Sequence, residues 1–550
     1  MYEPLTLFSE DQRFPLVLYR CIRASAEQQR NAPQTGQPNQ RENNTRQARS
    51  LSAENPGYQV KFENADKTPV DCTDNGEDQS QSIHLLTSIP AILSIILLRG
   101  FRPYSAKKSQ KTLFFLAGIV YNSSVRNILF FHKRVNHMNC FTSADILFPQ
   151  VEDLAKWAVI ACDQFSSDPA YWQEVRSLTE GVPSALHLIL PEAELGSPME
   201  AAHTASIHIN METYLNEGIF HCYPNSYVYV ERTLESGAIR KGLVGKVDLD
   251  AYDFSIGSSS AIRATERTVV ERIPPRQKVR RSASVELPHV LMLCDDHKKQ
   301  LIESITAKKD SLQKLYDFDL MMGGGHICGW LVDGEAAAAF DRALEEYSAA
   351  IDEKYVGLKG IPMVFAVGDG NHSLATAKTC YEELKAKNPD ADLSLHPARY
   401  ALVELENIHD DALVFEPIHR IVSKTQPEQL LAALESWCAP GGYPVKWITK
   451  DGEGTIYLDR SRSELTVGVL QNFLDEYLKD NPGEIDYIHD DDALLKLAEQ
   501  PNSIGFLLPG IEKGQLFRGV IADGILPRKT FSMGHSREKR YYLEARMIEK

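Results

Sequence analysis

Hydrophobic positions along this chain fall into two patterns: short β-branched or aromatic runs, and longer stretches with an apolar residue every third or fourth position. "WAVIAC" (157–162), "ALHLIL" (185–190), "SYVYVER" (226–232) and "MVFAV" (363–367) are of the first kind and predict strands. "GEAAAAFDRALEEYSAAI" (334–351) and "SLATAKTCYEELKAK" (373–387) predict helices. In the second of these, Leu374, Ala377, Tyr381 and Leu384 share one face. "ERIPPRQKVRR" (271–281), broken by two prolines, reads as a basic loop, and "MMGGGHICGW" (321–330) as a turn leading into a strand. Strands alternating with helices predict an α/β to α+β fold, a mixed sheet core with flanking helices.

This alternation begins at Met138. Residues 24–83 are rich in Gln, Asn, Arg, Ser and Asp, cannot bury enough surface to offset ordering entropy, and are expected to be disordered. The expected organisation is therefore a poorly ordered extension over 1–137, an N-terminal α/β part over 138–300, an α/β part over 301–440, and a C-terminal α/β part over 441–550 that completes the site. Two apolar stretches in the extension, Leu85–Leu98 and Thr112–Val125, are each about fourteen residues long, short of the roughly 20 that span a bilayer. No membrane role is adopted.

Charge narrows the function. Lys and Arg number 59 against 75 Asp and Glu, a net charge of -16, and gripping nucleic acid needs the opposite surface. The nine cysteines form no CxxC pair, which suits reduced thiols of a cytoplasmic protein. There is no HExxH, no GxSxG and no protein-kinase motif set, and the glycines at 323–325 lack the Lys-Ser/Thr of a P-loop. His326 in that stretch is a weak site candidate. Cys162 in "ACDQF" reads as a structural thiol.

The stretch with most chemistry is "VFAVGDGNHSLATA" (364–377), where an apolar run gives way to Gly368-Asp369-Gly370-Asn371-His372 and then to a helix expected to begin at Ser373. Strand carboxyl ends and helix amino ends are where anionic ligands bind, through free N–H groups and the helix dipole. Asp369 can hold magnesium or accept a proton, and His372 can contact a phosphate. The plainer reading is a tight turn in which Asn371 or Ser373 caps the helix and His372 is an ordinary core residue.

This stretch resembles the "DGHHRYETA" signature of the domain-of-unknown-function 1015 family. Further resemblances follow its order: "MNCFTSADILFP" (138–149), "VGKVDLDAYDFS" (244–255) with "IRATERTVVERIPPR" (262–276), "FEPIHRIV" (415–422) and "ILPRKTFSMG" (525–534). The likeness runs over 138–550. Departures from the pattern include Ser373, where the signature has an arginine, and Thr265, where a histidine precedes Glu266.

The signature is shared with ParB-like proteins that include kinases of free serine. The resemblance thus implies a ParB/sulfiredoxin-like nucleotide-binding region and phosphoryl transfer from ATP or ADP, with Mg2+, to a small hydroxylated acceptor. It implies Asp369, Glu266 and His372 as catalytic residues, with Asp369 and Glu266 also as metal ligands. Gly370, Asn371, Ser373, Thr268, Arg263, His419, Arg420, Arg528 and Lys529 are its implied nucleotide and phosphate contacts. Plainer readings stand beside these: Glu266 paired with Arg263 or Arg267 on a solvated face, His419-Arg420 as a structural corner, and Arg276, Lys278, Arg280 and Arg281 as a solvated loop or one that closes over phosphates. The alternatives in function are a nucleotide-binding regulatory module and a metal-dependent hydrolase.

Overall fold

The computed structural model describes residues 140–358 and 362–549, all within the unit Ala106–Lys550. The expected extension, its two apolar stretches and Met138 lie outside the described residues. Among the described residues, no helix is long and apolar enough to cross a membrane.

An eleven-stranded mixed sheet forms the centre. Its strands are β1 (Phe141–Thr142), β2 (Ala144–Pro149), β3 (Phe220–Thr233), β4 (Ile239–Asp248), β5 (Tyr252–Asp253), β6 (Ile262–Ala264), β7 (Leu291–Cys294), β8 (Gln313–Asp319), β9 (His326–Val332), β10 (Phe365–Asp369) and β11 (Tyr400–Asn407). The spatial order is β8-β9-β3-β4-β11-β7-β10-β6-β5, with β1 on β4 and β2 on β3. Most neighbours are antiparallel, but β11 pairs with β7, β10 with β6, and β6 with β5 in parallel. The sheet is covered on both faces, as β3 shows: Tyr227 and Tyr229 enter one hydrophobic cluster while Val228 and Val230 enter another.

Two long helices cover the tyrosine side. Helix α1 (Gly334–Lys354) is alanine-rich, a strong helix former, and buries Ala337, Phe340, Leu344, Ser348 and Ile351 at spacings of three and four. Helix α2 (Asn371–Lys387) buries Leu374, Ala377 and Tyr381, with Leu384 partly buried beside them. Residues 419–507 build a second, five-stranded antiparallel sheet, ordered 452–458, 438–449, 504–507, 419–423 and 484–488.

Three segments differ from the sequence-based expectation. "ALHLIL" holds a 3-10 turn, Ala185–Leu188, started by Ser184, whose Oγ accepts from the Leu186 amide. A short apolar run does not by itself distinguish strand from buried turn. In "WAVIAC" only Val159–Ile160 is strand, because a helical turn capped by Asp153 occupies Leu154–Trp157. The presumed basic loop is a helix, Ile273–Arg280, with its prolines in the first turn, where no amide donor is missed. Its cations are paired: Arg276 with Glu192, Lys278 with Glu200, Arg280 with Glu286, and Arg281 after it with Glu383.

The C-terminal tail returns to the centre. Tyr541–Tyr542 pairs with Val159–Ile160, and Arg546–Met547 with Val285–Glu286. Arg540 lies fully inside, its guanidinium bound by Glu404 on β11 and by Glu544. Tyr316 donates its hydroxyl to Glu544 at 2.7 Å. Arg540→Ala leaves both carboxylates buried without a counter-charge, and the expected cost is about 3–5 kcal/mol. Denaturant unfolding at constant slope measures it, and a loss below about 1 kcal/mol would contradict this account.

Candidate functional site

The site begins with strand register. On the parallel pair β6–β10, Val367 stands opposite Ala264. Asp369 ends β10 and Glu266 lies two residues beyond the end of β6, close enough for the Asp369 charge to act on the Glu266 carboxyl. Thr265 fastens the strand ends by donating its hydroxyl to the Val367 carbonyl at 2.7 Å. The chain then turns at Gly370, φ 78°, where an added Cβ would stand 2.9 Å from the Val290 backbone. Glycine is required there for both reasons. Helix α2 starts at once, at Asn371 rather than Ser373, with no side-chain cap from either residue.

Asp369 accepts from the Gly370 amide at 2.9 Å and meets Lys539 Nζ at 3.1 Å. Glu266 does not form a solvated pair with its neighbouring arginines. It is half-buried, bridges to Leu526, and accepts from the Thr530 amide at 3.4 Å. Burial pushes its carboxyl up and the Asp369 charge adds to that, against the Thr530 N–H, Lys529 and Arg420. His489 is pushed down by burial, with Lys529 and Lys539 contributing, so cations of the C-terminal segment gather near the two acids.

Arg420 shapes this segment from behind. It is fully buried and donates to Gln471 Oε1 at 2.7 Å, to the Ile418 carbonyl at 2.5 Å, and to the Arg528 and Lys529 carbonyls at 3.2 and 3.0 Å. Its guanidinium lies 4.7 Å from the centre of the Tyr487 ring, on which Arg528 also stacks at 5.2 Å. Every contact is internal. His419 is likewise held, between Asp491 at 2.6 Å and the Leu508 amide at 3.1 Å. Arg263 is buried and donates to the Ser260 and Pro362 carbonyls. None of the hydrogen bonds just given goes to the carboxylate pair, whereas Lys529 is exposed and acts on the Glu266 carboxyl.

On the other side of the α2 start, His372 Nε2 accepts from the Val269 amide at 3.1 Å. Burial, with Arg276 and Arg272 nearby, brings it down to about 4, so the ring is neutral at physiological pH. Ser373 Oγ meets His289 Nε2 at 3.1 Å, and His289 Nδ1 meets the Tyr542 hydroxyl at 2.7 Å. Although burial opposes it, His289 and Arg276 hold the Asp163 carboxyl well below its usual range. Sequence reasoning missed His289, Asp163, Tyr542, Lys539 and His489. None belongs to a spaced motif, and only the fold gathers them. The Cys162 thiol is pushed up to about 11 by burial and Asp163, which suits a structural thiol. Among the buried polar ends that have no hydrogen-bond partner within the described residues are Thr268 Oγ1 and Asn371 Oδ1.

The raised Glu266 carboxyl has a measurable consequence. Above the ordinary glutamate range, the folded chain keeps a proton that the unfolded chain has released, so stability falls as pH rises through that interval. Glu266→Gln removes this slope: it should gain on the native chain as pH rises and lose that gain in acid. Unfolding midpoints between about pH 4 and 8 test it, and parallel curves would contradict the shift.

No curated protein matches the chain. Solved structures with some likeness include a conserved hypothetical protein from Pyrococcus furiosus, at 9% identity and TM-score 0.27, covering 54% of this chain and 93% of that one. A free serine kinase in complex with AMP matches at 10% identity and TM-score 0.26, covering 54% and 90%. SbnI from Staphylococcus aureus, truncated at its C-terminus, matches at 11% identity and TM-score 0.28, covering 53% and 83%. Likeness this low carries no argument about chemistry. Residues 145–543, well over half of the chain, match a family profile, and the chain belongs to the family described as "Protein of unknown function (DUF1015)".

Proposed function

We propose that this protein binds ATP or ADP and transfers a phosphoryl group to the hydroxyl of a small metabolite, free serine being the type. The observation that carries this reading is the pair Glu266 and Asp369, near one another at the end of β10 and just beyond β6, before a helix amino terminus, with Lys539 on Asp369 and Lys529 near Glu266. Phosphoryl transfer asks for little more than positioned reactants, cations around the phosphates and a carboxylate at the attacking hydroxyl.

In this reading, Glu266 takes the acceptor's proton. Its raised carboxyl makes it a stronger base than an ordinary glutamate. The acceptor oxygen forms a new P–O bond while the bond to the nucleotide's bridging oxygen breaks, and that oxygen leaves on the nucleotide. Lys529 and Lys539 neutralise phosphate charge, and the first-turn amides of α2 donate to it. Thr268 Oγ1 and Asn371, unsatisfied in the protein alone, gain partners from the ligand. His372 is neutral here and orients the Val269 loop, so it supplies no positive charge. Arg420 acts as a positioning residue for the Arg528–Lys529 segment.

The oxygen donors of half-buried Asp369, with Glu266 as a second ligand where it does not serve as the base, fit a hard cation such as Mg2+. Bound there, it would offset charge on the phosphates. Ser373, in place of the signature arginine, leaves cation supply to the C-terminal lysines.

The test incubates the full chain with magnesium, ATP or ADP, and a pool of free amino acids and small alcohols, with products read by phosphorus NMR and mass spectrometry. A new phosphomonoester is expected. Asp369→Asn and Glu266→Gln should each lower its formation by two to four powers of ten, about 3–5 kcal/mol. Full turnover in either variant would remove the assigned roles. Nucleotide binding without any phosphomonoester would make the protein a binding module instead.

A further inference from the structure

A second constellation lies at the opposite edge of the large sheet. The hairpin β8–β9 places Asp317 opposite Cys328 and Asp319 opposite His326. All four residues stand on one face of the hairpin, because they alternate with Tyr316, Phe318 and Ile327, which pack into the core on the other. One ligand atom from each of Asp317, His326 and Cys328 lies within 4.8 Å of the other two. Four strands, β3, β4, β11 and β7, separate this hairpin from β10 and the Glu266–Asp369 pair.

The geometry is specific. His326 Nε2 stands 2.9 Å from Asp317 Oδ1 and 3.4 Å from Cys328 Sγ. Around a tetrahedral zinc ion, with Zn–N and Zn–O near 2.0 Å and Zn–S near 2.3 Å, neighbouring ligand atoms are roughly 3.3–3.6 Å apart. The side chains already stand close to that spacing, and small outward movement admits an ion. The other ring nitrogen, Nδ1, meets Asp319 Oδ1 at 2.7 Å. A carboxylate on the far nitrogen is the usual outer partner of a metal-bound histidine, fixing the ring and turning the Nε2 lone pair toward the metal. Lys314 holds Asp317 Oδ2 at 2.6 Å, leaving Oδ1 as the ligand atom. Glu231, across from Cys328 on β3, is engaged by Lys309 and Tyr229 and adds no fourth ligand.

We propose that Asp317, His326 and Cys328 form a site for a divalent ion of the zinc class, with Asp319 orienting the histidine and one coordination position left to solvent. The mixture of thiolate, imidazole and carboxylate selects zinc or cobalt over magnesium or calcium, which prefer oxygen alone. On binding, the Cys328 thiol gives up its proton to solvent and a metal–sulfur bond forms. The site does not rest on the kinase reading.

Cobalt is the probe. The full chain, stripped by chelator and kept reduced with a phosphine, is titrated with Co2+. One equivalent should give a thiolate-to-cobalt charge-transfer band and tetrahedral visible bands, and Zn2+ should abolish both. Cys328→Ser should remove the charge-transfer band, while Cys222→Ser, at an exposed cysteine elsewhere, should leave it. Asp319→Asn keeps every ligand and alters a side chain that is 89% exposed, so folding is not at issue. It should weaken the metal 10–100-fold. No band at one equivalent, or a band that survives Cys328→Ser, would overturn the proposal.

Discussion

The candidate site depends on one constraint, the parallel register of β6 and β10. With Val367 set opposite Ala264, the chain brings two acids to the ends of this pair, Asp369 and Glu266, near enough that one charge acts on the other. Two half-buried carboxylates near one another repel, so the arrangement costs free energy unless cations or protons attend it. The fold supplies the cations from elsewhere in the chain, Lys539 on Asp369 and Lys529 near Glu266. A fixed backbone thus creates a standing demand for positive charge. A site that binds polyphosphate with a metal would use that demand.

The backbone that carries Lys529 is held by a buried guanidinium. Arg420 reaches no ligand; it satisfies its donors on Gln471 and on three backbone carbonyls, two of which belong to Arg528 and Lys529. Burying that charge is tolerable because its donors are met and Tyr487 lies against its face. Burial brings it down to about 10, which still leaves it charged at neutral pH. The segment it fixes contains Lys529 at φ 56°, a left-handed conformation that a non-glycine residue adopts only when its surroundings insist. Thr530 follows, with its amide turned to Glu266. The His-Arg pair of "FEPIHRIV" therefore bears on the site through the backbone of another segment.

How much of this was legible in the sequence varied with the range of the interactions. Helix α1 and β3 were readable, since alanine content and alternating aromatics settle them locally. The passage from strand to helix here was readable too, as composition joins an apolar run, two glycines and an acid, but the expected turn over 368–372 narrows to Gly370, between a strand ending at Asp369 and a helix starting at Asn371. The prolines of 273–280 misled because a proline ends a helix only in its interior; in the first turn it is at home. "ALHLIL" misled because an apolar run of six does not state its own period. Lys539 and Tyr542 reach the site on the returning C-terminal tail, where Tyr542 meets His289, and the tail's docking rests on Arg540, bound by Glu544 four residues on and by the distant Glu404. No local pattern encodes that contact.

The large sheet has a problem at each end, since an edge strand offers unpaired amides and carbonyls to any passing chain. Beyond β10 and β6, the edge is the two-residue strand β5, too short to template much. At the other end β8 is seven residues long, and its outward face carries Lys314, Asp317 and Asp319, charges that oppose strand addition. The same residues supply the carboxylates around His326. Charge placed to keep an edge solitary, next to a cysteine and a histidine two residues apart on β9, also makes a compact set of metal donors. Edge protection accounts for the acids alone; it gives no reason for Cys328 and His326 to point at them on one face.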